Sequence, residues 1–471
     1  MWKSRDPFLK GILCFSFYCR GASLLMQVVF NILIPDHVAD AFSPPRAPLS
    51  GYGNHLADLL LGGLGRWDAE HFLFIAEHGY LFEHNMAFFP LLPLILSGLA
   101  RGLLSPLGFI LSLRSRLLLS ATLLNTTCFV LAALTLYRLS CVVLQSRHTA
   151  FLAALLFCIN PASIFMTVAY SESLFAVATF AGLWQLEKCR IVNGSVLLSL
   201  ATAARANGLV NTGFLLYSGA QAIIQRNVYW RQLNKTIFAV AVIVLPYALF
   251  QYYSFCHFCL VSDLDGEIPQ EMKQLATEKG YRLYGQPVPS WCSASFPMAY
   301  SNIQSNYWDV GLLRYFHLRQ LPNFFLALPV TLLGICAIWE YICCNQKLCL
   351  TLGLWEEQKK PSSGYYGHRV FVYVAHLTAL MVFGVFCMHV QVMTRLLFSS
   401  SPLLFWFSSL LLQKNEPWLL ELQRSHPASN PVFVLLRAWT TLQHSSRFLL
   451  GYFLGYWVLG TVMHVNFLPW T

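Results

Sequence analysis

The chain has 471 residues, 56% hydrophobic and only 11% charged, with a formal net charge of +10. Soluble globular domains carry about a quarter charged residues, so this composition excludes an ordinary soluble enzyme and predicts an all-α polytopic membrane protein with one membrane domain over 1–471. Lys and Arg fall mostly in short loops between apolar runs, as orientation signals do, and no basic tract or nucleic-acid-binding motif is present, so the expected partner is the membrane and not a nucleic acid.

The N-terminal MWKSRDPFLK leads into a long apolar run that contains Arg20 and lacks a small-residue cleavage site, the pattern of an uncleaved signal anchor. Apolar runs predict about eleven spans, near 8–34, 117–137, 149–166, 173–187, 194–204, 206–224, 237–255, 322–342, 371–388, 397–412 and 448–466. The stretch 86–104 is also apolar, but it opens with FFPLLPL, and two prolines so close predict a juxtamembrane or re-entrant piece. Lys3, Arg5 and Lys10 place the N-terminus in the cytosol, which makes 35–116 a first lumenal loop and 256–321 a second large one. Arg101, Arg114 and Arg116 then lie on the lumenal side, against the charge rule. Cys256, Cys259 and Cys292 share the second loop, where two of them can form a disulfide if it is lumenal.

Polar residues concentrate in WDAEHFLFIAEHGYLFEHNMAFFPLLP, residues 67–93, which holds Asp68, Glu70, Glu77 and Glu83. On a helix, Asp68 and Glu70 point about 200° apart and converge only in a loop or at a helix start. Asp68 and His71 share a face, and a carboxylate beside a neutral His can serve as general base. The plainer alternative makes Asp68 the cap of a helix over about 69–78. Trp67 suits either a sugar ring or an interfacial aromatic belt. His71, His78 and His84 lack the i, i+4 spacing of helical zinc sites, so no metal is expected. Farther on, Asn160-Pro161 breaks a helix and Glu172 opens the next apolar run. Arg205 and Asn207 interrupt another, and Arg395 sits in HVQVMTRLLFSSSP. Ionisable groups within apolar segments are costly and mark function by default. For the arginines the choice lies between a packing ion pair and a phosphate site.

Taken in order, WDAEHFLFIAEHGY, NMAFFPLLP, NPASIF with AYSESLF, ATAARANGL, HVQVMTRLLFSSSP and the ending HVNFLPWT closely resemble the PIG-V family of mannosyltransferases of GPI-anchor assembly. The resemblance runs from IPDHVADAFSPPR to the last residue. It implies a GT-C fold with a catalytic first lumenal loop, an endoplasmic reticulum location, and dolichyl-phosphate-mannose as donor. The implied acceptor is the mannosyl-glucosaminyl-phosphatidylinositol intermediate, which receives its second mannose in α1,6 linkage. The family's acidic motif falls on Trp67, Asp68 and Glu70. On this basis Asp68 is the expected base, with Glu70 orienting the acceptor or sharing the role. Arg395, then Arg205, are expected at the leaving phosphate, Glu172 beside the charged transition state, and Trp67, His71 and Asn207 against substrate. With no DxD-type motif, no cofactor is expected. The rival readings are a lipid transporter or scramblase, disfavoured by the absence of related halves, and a non-catalytic subunit of a membrane complex.

Overall fold

The computed structural model describes residues 6–225, 230–260, 268–285, 288–354, 363–426 and 429–468. Lys3 and Arg5, which entered the orientation argument, lie outside the described residues, as does the chain end from Pro469. Among the described residues the structure is helical, and its only β feature is an isolated bridge between Phe82 and Leu283.

Among the described residues six helices are long and apolar enough to cross a bilayer: α1 (Pro7–Leu33), Leu113–Leu144, Trp230–Leu260, Leu318–Cys344, His368–Cys387 and His444–Val465. They match six of the expected spans. A seventh, expected at 397–412, is a pair bent by 81°, Val390–Ser400 followed by Leu403–Asn415. The other four expected spans shorten to Arg147–Cys158, Glu172–Glu187, Ile191–Ala204 and Thr212–Ile224, of 12, 16, 14 and 13 residues. At 1.5 Å per residue these reach about 18–24 Å, less than the roughly 30 Å of hydrocarbon a straight helix crosses. Hydropathy reads apolar runs and cannot see where the backbone leaves the helix. The stretch 86–104 likewise becomes a short piece, Leu91–Leu103, as its prolines predict.

The break at Asn160-Pro161 shows the cause. Pro161 cannot donate to a helix and disfavours helical geometry at Asn160. The Asn160 side chain accepts the Ala162 N–H at 2.8 Å, and 159–171 runs on as buried turns. Irregular backbone inside a membrane protein persists only where protein groups satisfy it. Asn125, on the helix Leu113–Leu144, donates to the carbonyls of Val168 and Tyr170. Arg20, on α1, is buried and donates to the Ser163 carbonyl at 3.1 Å, the Thr167 hydroxyl at 2.5 Å and the Ser163 hydroxyl, while its guanidinium lies 3.7 Å from the Phe129 ring centroid. Both Arg20 Nη groups thus hold this segment, while its Nε has no hydrogen-bond partner among the described residues. Arg20→Leu is expected to remove these charge-assisted hydrogen bonds, worth about 1.5–3 kcal/mol each, and to lower the melting temperature of the detergent-solubilised protein; an unchanged melt would contradict this role.

Two long loops pack on one end of the bundle. Beside the Phe82–Leu283 bridge, Glu83 N–H donates to the Arg282 carbonyl at 2.9 Å. The buried Glu83 carboxylate accepts from Trp291 Nε1 at 2.7 Å and Tyr307 at 2.8 Å. Of the three loop cysteines, Cys259 and Cys292 form the disulfide and Cys256 is free. The three arginines that break the charge rule are tied locally. Arg114 pairs with Glu70, Arg101 donates to the Glu77 carbonyl at 2.8 Å, and Arg116 to the Ala100 carbonyl at 2.9 Å.

Candidate active site

The helix α2 (Asp68–His78) begins at Asp68, so the first-turn N–H groups have no partner inside the helix. The Asp68 N–H donates instead to the Tyr170 hydroxyl at 3.1 Å. Its carboxylate does not cap: it accepts from Arg395 Nη1 at 2.8 Å, across 327 residues of sequence. Just before it, Trp67 has φ +54° and ψ −131°, a conformation L-residues rarely adopt. That turn aims Asp68 into the bundle while its side chain stays 26% exposed. Burial works against the ionised carboxyl, but Arg395, then His71 and Arg205, outweigh it and hold Asp68 below the ordinary carboxylate value.

Arg395 lies on α3 (Met393–Ser400), the first limb of the bent pair. Its guanidinium sits 5.3 and 5.6 Å from the ring centroids of Tyr170 and Phe165, both on the buried turns. It also lies 3.7 Å from Glu172, which opens the helix Glu172–Glu187 and is 0% exposed. Glu172 pairs in turn with Arg205. Arg205 sits in extended backbone at the break after Ala204, where a Cβ on Gly208 would come within 2.6 Å of the Thr202 backbone. Asn207 accepts from Arg205 Nε at 3.4 Å and donates to the Ser400 hydroxyl at 3.1 Å, tying this break to the bend. Four charged groups from four separate segments thus form one row, Asp68, Arg395, Glu172, Arg205. Two carboxylates and two guanidiniums balance one another, and an arriving phosphate can take either arginine.

Glu70 points elsewhere, as a 200° separation requires. Its carboxylate is buried, 2.5 Å from Arg46 and paired also with Arg114. It fixes the loop rather than adjoining Asp68. Breaking a buried ion pair costs about 3–5 kcal/mol, so Glu70→Gln is expected to reduce the folded yield while the specific activity per folded molecule stays within a few-fold of wild type. A hundredfold loss of specific activity at full yield would instead place Glu70 in the chemistry.

His71 is clamped between the rings of Phe42 and Phe88, at 4.4 and 4.3 Å and nearly parallel, and its Nδ1 meets Asn85 Oδ1 at 3.1 Å. Burial lowers its pKa more than the Asp68 charge raises it. Trp67 faces Phe467 near the chain end, ring centroids 5.8 Å apart. The structure therefore links Asp68, Arg395, Glu172, Arg205 and Asn207 through direct contacts, sets Trp67 and His71 near Asp68 at the start of its helix, and turns Glu70 away toward Arg46 and Arg114. Sequence reasoning missed Tyr170 as a partner of Asp68, although it precedes Ser171-Glu172 in a motif already singled out.

The family model for the mannosyltransferases called PIG-V matches residues 9–471. The chain is 48% identical to GPI alpha-1,6-mannosyltransferase 2 of Rattus norvegicus, covering 99% of both proteins, and 47% identical to that of Homo sapiens, covering 100% of both. GPI mannosyltransferase 2 of Drosophila melanogaster is 32% identical over 95% of this chain and 96% of its own length. A looser architectural likeness, TM-score 0.47 at 11% identity, links the chain to the archaeal oligosaccharyltransferase AglB from Archaeoglobus fulgidus, covering 95% of this chain and 56% of that one. A likeness that loose decides neither fold family nor activity. A match along almost the whole length, at nearly half identity, does decide descent: the chain belongs to the PIG-V mannosyltransferase family.

Proposed function

We propose that this chain transfers the second mannose of the GPI anchor, α1,6-linked, from dolichyl-phosphate-mannose to the mannosyl-glucosaminyl-phosphatidylinositol precursor, in a GT-C-type membrane domain of the endoplasmic reticulum with its site in the lumen. The observation that carries this reading is the Asp68–Arg395 pair at 2.8 Å, backed by Glu172 and Arg205. Family membership supports the reaction, and the names of the mammalian relatives support the linkage. The lumenal side follows from the charge rule.

The donor is a β-linked mannosyl phosphate and the product is α-linked, so one inverting displacement suffices. The acceptor 6-hydroxyl oxygen bonds to mannose C1 as the bond from C1 to the phosphate oxygen breaks. The hydroxyl proton passes to the Asp68 carboxylate, and the bonding electrons leave with dolichyl phosphate. Arg395 is the resting partner of Asp68. When donor phosphate takes Arg395, Asp68 loses the cation that weakens it as a base and is left facing the acceptor. Arg205 adds a second fork for the growing phosphate charge. Glu172 keeps both arginines in place, and its charge favours the oxocarbenium-like transition state. The step balances with these side chains, and the reading assigns no cofactor.

The test is expression in cells that lack the second mannosyltransferase step. Wild type should restore GPI-anchored proteins at the cell surface and the dimannosylated lipid. Normal accumulation of the protein without that lipid would overturn the reading.

A further inference from the structure

The last helix, α4 (His444–Val465), brings one more polar side chain to the site. His464 is 0% exposed, and neither ring nitrogen has a hydrogen-bond partner among the described residues. Its ring stands edge-on to Tyr170 at 5.4 Å and to Phe165 at 5.8 Å. Tyr170 is also the ring beside Arg395, and its hydroxyl accepts the Asp68 N–H, so His464 stands next to that ion pair. The end of this helix is stitched to the first loop. His37 N–H donates to the Asn466 carbonyl at 3.0 Å, and Phe467 lies between Arg66, 4.7 Å from its ring centroid, and Trp67. The imidazole is therefore held at a fixed place.

A neutral imidazole always has one N–H donor and one lone-pair acceptor. Buried polar groups with no partner are rare in native proteins, and the aromatic rings beside His464 offer none of comparable strength. Trp67 Nε1 and Arg395 Nε, in the same site, are also buried and unpartnered among the described residues. Two unsatisfied donors and an imidazole that both donates and accepts complement an oxygen-rich ligand. When donor phosphate draws Arg395 off Asp68, the transferred sugar enters between base and phosphate, beside the Tyr170 ring that His464 also abuts.

We propose that His464 is a specificity residue that hydrogen-bonds a ring hydroxyl of the hexose carried by the lipid-phosphate donor, a role that rests on the mannosyl-transfer reading above. A site built to bond a hydroxyl discriminates against the analogue that lacks it far more strongly than an apolar pocket does. The experiment uses the purified full-length chain in detergent, with polyprenyl-phosphate donors carrying mannose or mannose with each ring hydroxyl removed in turn. Wild type should disfavour one deoxy donor by roughly 10- to 100-fold in kcat/KM. His464→Phe should lose that factor on the mannosyl donor and treat the two donors alike, as a double-mutant cycle requires. Undiminished discrimination by His464→Phe against all the deoxy donors would overturn the proposal, because a packing role slows every donor equally. If Phe lowers the folded yield, His464→Asn, whose amide has shorter reach, is read by the same criterion. Wild type that moves mannose from no donor would overturn the transfer reading itself.

Discussion

Arg395→Ala is expected to slow mannose transfer by roughly 10²–10³-fold, the usual cost of losing one preorganised group that stabilises developing charge. Arg395 is the only cation joined to both Asp68 and Glu172 among the described residues, at 2.8 and 3.7 Å. Its loss removes the first fork that meets the phosphate. It also leaves Glu172, 0% exposed, with Arg205 alone, so the variant should be less stable as well. Activity therefore has to be expressed per folded molecule, measured by fluorescence size exclusion. Arg395→Lys keeps the charge and loses the planar fork, and should fall between wild type and alanine. Activity of Arg395→Ala within threefold of wild type would remove Arg395 from the phosphate site.

The same pair sets a pH dependence. Burial raises the Asp68 pKa, and Arg395 is the foremost group that overrides it to leave the carboxyl below its ordinary value. A base with a depressed pKa is ionised above that pKa and lost as pH falls through it. The acid limb of kcat/KM should therefore lie below the usual carboxylate range in wild type. In Arg395→Gln burial acts with less opposition, so that limb should move to higher pH. A limb that stays in place would mean that Arg395 does not govern the base.

Much of the site was legible in the sequence because charge is rare in this chain. Asp68, Glu172, Arg205 and Arg395 each interrupt an apolar context, and the cost of burying them singly makes mutual pairing the natural outcome. Which carboxylate would face which arginine was not legible. Asp68 and Glu70 are two residues apart, and only the turn at Trp67 decides that Asp68 looks into the bundle while Glu70 meets Arg46 and Arg114. Trp67 carries no propensity for positive φ, so that turn had no local signal. The spans divided in the same way. Long uninterrupted helices were found in place: Pro7–Leu33 to within a residue, and Leu113–Leu144 with its ends four and seven residues beyond the expected 117–137. The expected span at 149–166 failed at Cys158, because the turns that follow depend on Arg20 and Asn125, distant residues that hydropathy does not weigh. His464 was hidden for a related reason, since a histidine near the end of an apolar helix tells nothing of the Asp68–Arg395 pair it meets in the fold.

Asp68→Asn carries the largest expected effect. Asparagine keeps the shape and a hydrogen-bonding oxygen for Arg395 but cannot take a proton, so it separates base chemistry from packing. A positioned general base contributes about 10²–10⁴-fold, and an amide beside Arg395 leaves no nearby carboxylate to substitute, because Glu70 is turned away and Glu172 is enclosed by Arg205 and Arg395. The measurement is single-turnover transfer of labelled mannose from dolichyl-phosphate-mannose to the mannosyl-glucosaminyl-phosphatidylinositol acceptor, with purified wild type and Asp68→Asn at equal folded concentration. The account predicts α1,6-linked product from wild type and a rate at least a hundredfold lower from the variant. A variant within about tenfold of wild type, which is less than a positioned base contributes, would contradict it.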